Sequence, residues 1–168
     1  MKFLRCCCYL ALTGAISFFV GRILPKSWFD PEHFPYRSFA FEKNGKFYET
    51  FKIRAWQNKV PDMSRILPGL MPAKRLGADY KERLPEMLQE TCVAELIHSV
   101  LCITGFYCLK IWPSWQAIVL ALIHALFLNL PFVMIQRYNR PRLLRLYRRA
   151  CRQKETAEER SADVSCEY

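Results

Sequence analysis

The sequence predicts an all-α integral membrane protein: about three transmembrane helices, with an amphipathic helix lying in the membrane interface between the first and second. Three observations predict it. Mean hydropathy is close to zero, yet the apolar residues gather into blocks near 3–24, 93–110 and 115–136. Lys and Arg collect between Lys26 and Arg83 and again from Arg137 onward. The stretch from Lys46 to Val60 repeats aromatics and cations at helical spacing.

The chain has 168 residues, enough for one membrane domain over 1–153 and a polar tail at 154–168. A helix needs roughly 20 largely apolar residues to cross the hydrocarbon core. The block from Trp115 to Ile135 is uncharged and meets this outright. The first block places Arg5 and Arg22 near its ends, where long cationic side chains reach the headgroups. It also has the short basic start of a signal peptide, but no A-x-A pattern follows, and Gly21-Arg22-Ile23-Leu24-Pro25 is a poor exit. The second block is short and carries Glu95 and His98.

Between the first two spans, 25–92 reads as a cytoplasmic interfacial segment. Pro25 to Pro35 is rich in Pro and aromatic residues, which favour the headgroup level. Asn44-Gly45 marks a turn. Phe47, Tyr48, Phe51, Ala55 and Trp56 then fall on one helical face, with Lys46, Glu49, Lys52, Arg54 and Asn58 on the other and Ile53 out of pattern. Pro61-Asp62 stops that helix. A further helix starts near Pro85 and runs unbroken into the second span. Trp112-Pro113-Ser114 turns the chain, and Asn129-Leu130-Pro131 kinks the third span, because proline removes a backbone hydrogen bond. Arg142 to Arg152 continues as a basic surface helix. Residues 154–168 are polar, mixed in charge and expected to be disordered.

The loop between the second and third spans has only Lys110, so the positive-inside rule puts the middle segment and the tail in the cytoplasm. Three spans then place the N-terminus outside, against the mild pull of Lys2 and Arg5. A net charge of +10 suits anionic lipid or phosphorylated ligands. Nucleic acid fits poorly, because the basic residues flank membrane segments. Eight cysteines show no C-x-x-C pair, so no metal or redox signature is expected. A Gly-rich phosphate loop, G-x-S-x-G, H-E-x-x-H and the acyltransferase pattern H-x-x-x-x-D are all missing.

Glu95 and His98 are three apart and share a helical face. The third span descends to the same depth and emerges at Gln136-Arg137-Tyr138-Asn139-Arg140-Pro141-Arg142-Leu143, so antiparallel neighbours bring Glu95, His98, Asn139 and Arg140 together. An ionisable residue within a span is a functional candidate, because leaving it in lipid is costly. A carboxylate beside an imidazole is the arrangement of a general base. The plainer alternative is that Glu95 pairs with Arg140 or Arg137 and staples two helices; the residues alone leave both open. Asp62 falls at the level of this cluster, and its plain role is a solvated turn carboxylate. His124, near mid-membrane, reads as a packing histidine. Arg140 and Arg142 suit phosphate or carboxylate, or simply anionic lipid.

Four stretches together resemble the glycosyl-4,4'-diaponeurosporenoate acyltransferase family: Phe41-Glu42-Lys43-Asn44-Gly45-Lys46-Phe47, Arg54-Ala55-Trp56-Gln57-Asn58-Lys59-Val60-Pro61-Asp62, Ala94-Glu95-Leu96-Ile97-His98, and the Gln136 to Leu143 motif. The similarity runs from about 26 to 150. It implies transfer of a fatty acyl group from a thioester donor, acyl-CoA or acyl carrier protein, to a sugar hydroxyl of a glycosylated carotenoid or related glycolipid, as in a staphyloxanthin-type pathway. No bound cofactor is expected. Carried onto this chain, the resemblance makes His98 the base and Glu95 its orienter, with Asp62 nearby. Arg140, Arg142 and Lys59 neutralise donor phosphates, Asn139 donates to the oxyanion, and Trp56 and Gln136 line the acceptor site. The competing expectation is a membrane scaffold that binds anionic lipid and catalyses nothing.

Overall fold

The computed structural model describes residues 1–60 and 80–166. Its described residues are helical or irregular and contain no strand. Helix α1 spans Lys2–Ile23. A 3₁₀ turn at Lys26–Trp28 follows, then a longer 3₁₀-rich stretch, Ala40–Phe51, and the single turn α2, Ile53–Trp56. Helix α3, Tyr80–Thr104, is extended by a 3₁₀ turn at Gly105–Tyr107 and by α4, Cys108–Ile111. After the turn at Trp112 to Ser114, α5 covers Trp115–Ile123, a π-helical turn covers His124–Asn129, and α6 covers Leu130–Cys166.

Three of these helical runs, 2–23, 80–111 and 115–156, are long and apolar enough to cross a membrane. Their outward faces expose large apolar side chains such as Leu12, Ile16, Phe19, Ile123, Leu126, Phe127 and Leu128. Contiguous apolar surface of that extent suits lipid rather than water. α1 runs antiparallel to α3. The Cys6 thiol meets the Cys108 carbonyl at one end, the Tyr9 hydroxyl donates to the Thr104 carbonyl at 3.0 Å, and Gly21 meets Val93 and Ile97 at the other end. The Cys6 end and the Trp112 turn therefore share one end of the bundle. Residues 24–59 and the polar stretch of α6 from Gln136 onward occupy the opposite end.

The expected surface helix over Lys46 to Val60 is not a single helix. Lys43, Asn44 and Gly45 all take positive φ, as the turn at Asn44-Gly45 requires, and Lys52 does so again at φ 51°. The second reversal swings Ile53 inward, where it is fully buried with Tyr48 and Tyr138, and Trp56, Met134 and Ile135 close the cluster. Ile53 broke the amphipathic pattern because it belongs to this core. Burying its side chain is worth about 1.5–3 kcal/mol, enough to offset one left-handed lysine at about 1–2 kcal/mol. Phe47 and Phe51 stay exposed.

The kink expected at Asn129-Leu130-Pro131 is realised as the π turn just before it. Pro131 can neither donate to the preceding turn nor tolerate its carbonyl, and one wide turn accommodates both constraints. Within the described residues α3 already runs from Tyr80, so Pro85 lies inside the helix rather than at its start. The tail also differs from expectation: α6 remains helical through Cys166 instead of giving way at Lys154.

Candidate functional site

The polar stretch of α6 from Gln136 onward meets α3 and the 3₁₀ stretch at one end of the spans. Here two arginines and two carboxylates form a buried hub. Arg137 Nε donates to Glu95 Oε1 at 2.7 Å, its Nη1 to Glu42 Oε1 at 2.9 Å, and its Nη2 to the Pro35 carbonyl at 2.8 Å. Arg140 is only 2 % exposed. It pairs with Glu95 Oε2 at 2.6 Å and donates to the Thr91 hydroxyl at 2.8 Å, the Thr91 carbonyl at 2.9 Å and the Tyr36 carbonyl at 2.7 Å. Glu42 also accepts from the Phe39 N–H at 2.7 Å and from the Tyr48 hydroxyl. The hub is neutral overall, the condition under which buried charges are tolerated.

Burial alone would push the Glu42 carboxyl up. The hydrogen bonds from Tyr48, Phe39 and Arg137 outweigh it and hold that carboxyl below its ordinary range. Burial and the bond to Glu42 push the Tyr48 hydroxyl well above its own range.

A second, more exposed group lies beside the hub. Arg142 Nη2 donates to Glu49 Oε1 at 2.8 Å and its Nη1 to the Tyr138 carbonyl at 2.6 Å, with the guanidinium 3.5 Å from the Tyr138 ring centre. Arg54 donates to the same Glu49 oxygen at 2.9 Å and, through Nε, to the Tyr138 hydroxyl at 2.6 Å. Two cations on one carboxylate leave this edge positive, and Lys59 is exposed.

The expected Glu95–His98 dyad does not form. Both Glu95 oxygens lie within ion-pair distance of arginines, 2.7 Å from Arg137 and 2.6 Å from Arg140, so Glu95 bridges α3 and α6 and is not bonded to His98. His98 lies one turn further along α3. Its Nδ1 is 3.0 Å from Asn129 Oδ1, and its ring stacks on Phe132 with centres 4.4 Å apart. A charged or hydrogen-bonded pair three residues apart on a helix needs both side chains free to turn toward each other, and the arginines hold Glu95 away. His124 is a buried histidine whose carbonyl accepts from Asn129 Nδ2 at 2.9 Å.

Among the other candidates, Asn139 Nδ2 donates weakly to Gln57 Oε1 at 3.4 Å. Trp56 Nε1 donates to the Phe51 carbonyl at 2.9 Å and packs on the Ile53 cluster. Gln136 is half-buried on α6. Asp62 lies outside the described residues. Sequence reasoning missed Glu42, Thr91 and Tyr36 as arginine partners, and Asn129 as the partner of His98. Glu42 was legible as a lone acid beside a turn; the carbonyl acceptors of Pro35, Tyr36 and Thr91 carry no sequence signal.

The family described as glycosyl-4,4'-diaponeurosporenoate acyltransferase matches residues 25–149. The chain belongs to the glycosyl-4,4'-diaponeurosporenoate acyltransferase family. Proteins of that name from Staphylococcus aureus strains bovine RF122 / ET3-1 and MRSA252 are each 31% identical over 132 residues, covering 77% of this chain and 78% of theirs. The protein of strain N315 is 31% identical over 130 residues with the same coverage. No solved structure matches the chain. Membership decides between the enzyme and the scaffold: this is an acyltransferase. The match starts after α1 and ends within α6, so it covers the hub, the positive edge and the pair His98–Asn129.

Proposed function

We propose that this glycosyl-4,4'-diaponeurosporenoate acyltransferase family member moves a fatty acyl group from a thioester donor to a sugar hydroxyl of a glycosylated carotenoid or related glycolipid. The reading is of a multi-pass protein of a bacterial cell membrane, acting at its cytoplasmic face. The names of the Staphylococcus aureus relatives support the acceptor. Lys and Arg placement supports the side, since 25–59 and the polar stretch of α6 share one end of the bundle.

One observation carries the choice of base. At the polar end of the spans, Glu42, Glu95, Arg137 and Arg140 are all consumed by one another, while His98 Nε2 is bonded to no described residue. His98 Nε2 takes the proton of the sugar hydroxyl as its oxygen attacks the thioester carbonyl. The new C–O bond forms, the C–S bond breaks, and the proton passes from His98 to the departing thiolate. The products are an ester and a free thiol. Asn139, held loosely by Gln57, donates to the oxyanion. Arg54, Arg142 and Lys59 offer a positive edge to donor phosphates. Glu95 and Arg140 hold the helices in register and touch no substrate.

The test is mass spectrometry of lipid extracts from cells that make a glycosylated carotenoid through co-expressed upstream enzymes. Wild-type chain yields an acylated product and His98→Ala, equally well inserted, yields none. Product from both removes His98 as the base. Product from neither, with both inserted, removes the acceptor.

A further inference from the structure

A short polar chain lies between α3 and the third span, away from the arginine hub. His98 Nδ1 and Asn129 Oδ1 are 3.0 Å apart, and Asn129 Nδ2 is 2.9 Å from the His124 carbonyl. The same Nδ2 is 3.4 and 3.3 Å from the two ring nitrogens of His124. Near-equal distances place it against the face of that ring rather than in line with either lone pair. Asn129 is 3 % exposed and closes the π turn.

These contacts fix the orientation of the Asn129 amide. A carbonyl oxygen only accepts, so the group facing the His124 carbonyl must be the NH₂. Turning the amide over would set two oxygens against each other at hydrogen-bond distance. The Asn129 oxygen therefore faces His98, and it too only accepts. His98 Nδ1 must carry the proton, which leaves the lone pair of neutral imidazole on Nε2. Free imidazole side chains in water favour the opposite form, with the proton on Nε2. The stack on Phe132 holds the plane of the His98 ring.

We propose that Asn129 is a positioning residue that holds His98 as the Nδ1–H tautomer, so that Nε2 is ready to accept a proton. The π turn serves this arrangement: it gives Asn129 the His124 carbonyl as a fixed reference and leaves Oδ1 for His98. Gly105 belongs to the same device, because a Cβ there would lie 2.6 Å from His124 Nδ1. The inference deepens the reading of His98 as the base.

The tautomer is read directly by ¹⁵N NMR of the full chain, labelled at its three histidines and held in lipid nanodiscs at mildly alkaline pH. His98→Gln assigns the signal. Wild type shows His98 with a protonated Nδ1 and a pyridine-type Nε2. Asn129→Ala moves the proton to Nε2 and lowers kcat about 10- to 100-fold with KM little changed, the scale of losing an orienting partner. Asn129→Asp in its protonated form donates its hydroxyl to the His124 carbonyl and still offers its other oxygen to Nδ1, so it restores the tautomer and most of the turnover. A merely structural Asn129 would not give that selective rescue. Nε2–H in the wild type overturns the proposal, and so does Asn129→Ala with tautomer and turnover both unchanged. The spectrum needs no substrate, so a wild type without product would sink the proposed acceptor while the tautomer is still decided.

Discussion

Replacing Glu95 with Gln separates a staple from a catalytic orienter. In the wild type, Glu95 meets Arg137 at 2.7 Å and Arg140 at 2.6 Å, with side-chain exposures of 7 %, 11 % and 2 %. At an effective dielectric near 20, each such contact is worth about 6 kcal/mol of attraction before desolvation is subtracted. Gln keeps the shape and removes the charge. The hub changes from two cations and two anions to two cations and one anion. Arg137 retains Glu42, while Arg140 keeps only neutral acceptors, Tyr36 and Thr91. Breaking a buried pair on one side costs about 3–5 kcal/mol, since the partner charge stays buried. Thermal unfolding in nanodiscs, followed by helical circular dichroism, should show that loss. Glu95→Gln combined with Arg140→Met should recover about 1–3 kcal/mol of it, because the double change restores neutrality. If Glu95→Gln unfolds like the wild type and only turnover falls, the staple is refuted and Glu95 acts through His98 after all.

Three further outcomes are expected. Gly45→Ala destabilises by about 2 kcal/mol in the same assay, because φ is +89° and the new Cβ would lie 3.0 Å from the Tyr138 carbonyl. Gly105→Ala costs about 1–3 kcal/mol through its collision with His124, whereas Gly14→Ala, with nothing within 4 Å, costs nothing measurable. Glu42 has a depressed folded-state pKa, so its stabilisation is present above the ordinary carboxylate range and is lost as pH falls through the folded value. The unfolding midpoint of Glu42→Gln should therefore fall less than that of the wild type between mildly acidic and strongly acidic pH.

The spans, the turn at Asn44-Gly45 and the kink before Pro131 were legible because each rests on local chemistry. A run of apolar residues, a positive-φ glycine and a missing N–H constrain the chain whatever surrounds them. The interfacial helix failed for the opposite reason. Its periodicity was real, but Ile53 gained more by joining Tyr48 and Tyr138 than by keeping to the helix. Convergence of Glu95 and Arg140 followed from topology alone, since antiparallel helices leaving the same boundary must meet.

Partner choice did not follow. Glu95 had His98 on its own face and two arginines across the interface, and spacing could not rank them. Charge did: a carboxylate beside two buried guanidiniums gains far more than one beside a neutral imidazole. That choice freed His98 for Asn129, thirty-one positions away, whose amide is oriented by a backbone carbonyl that no sequence pattern displays. The sequence by itself determined a membrane-spanning acyltransferase family member with its polar motifs at one end. Only the tertiary structure decided which of those motifs became scaffold and which side chain kept an unbonded nitrogen, because buried pairing is settled by distance and geometry across helices rather than along them.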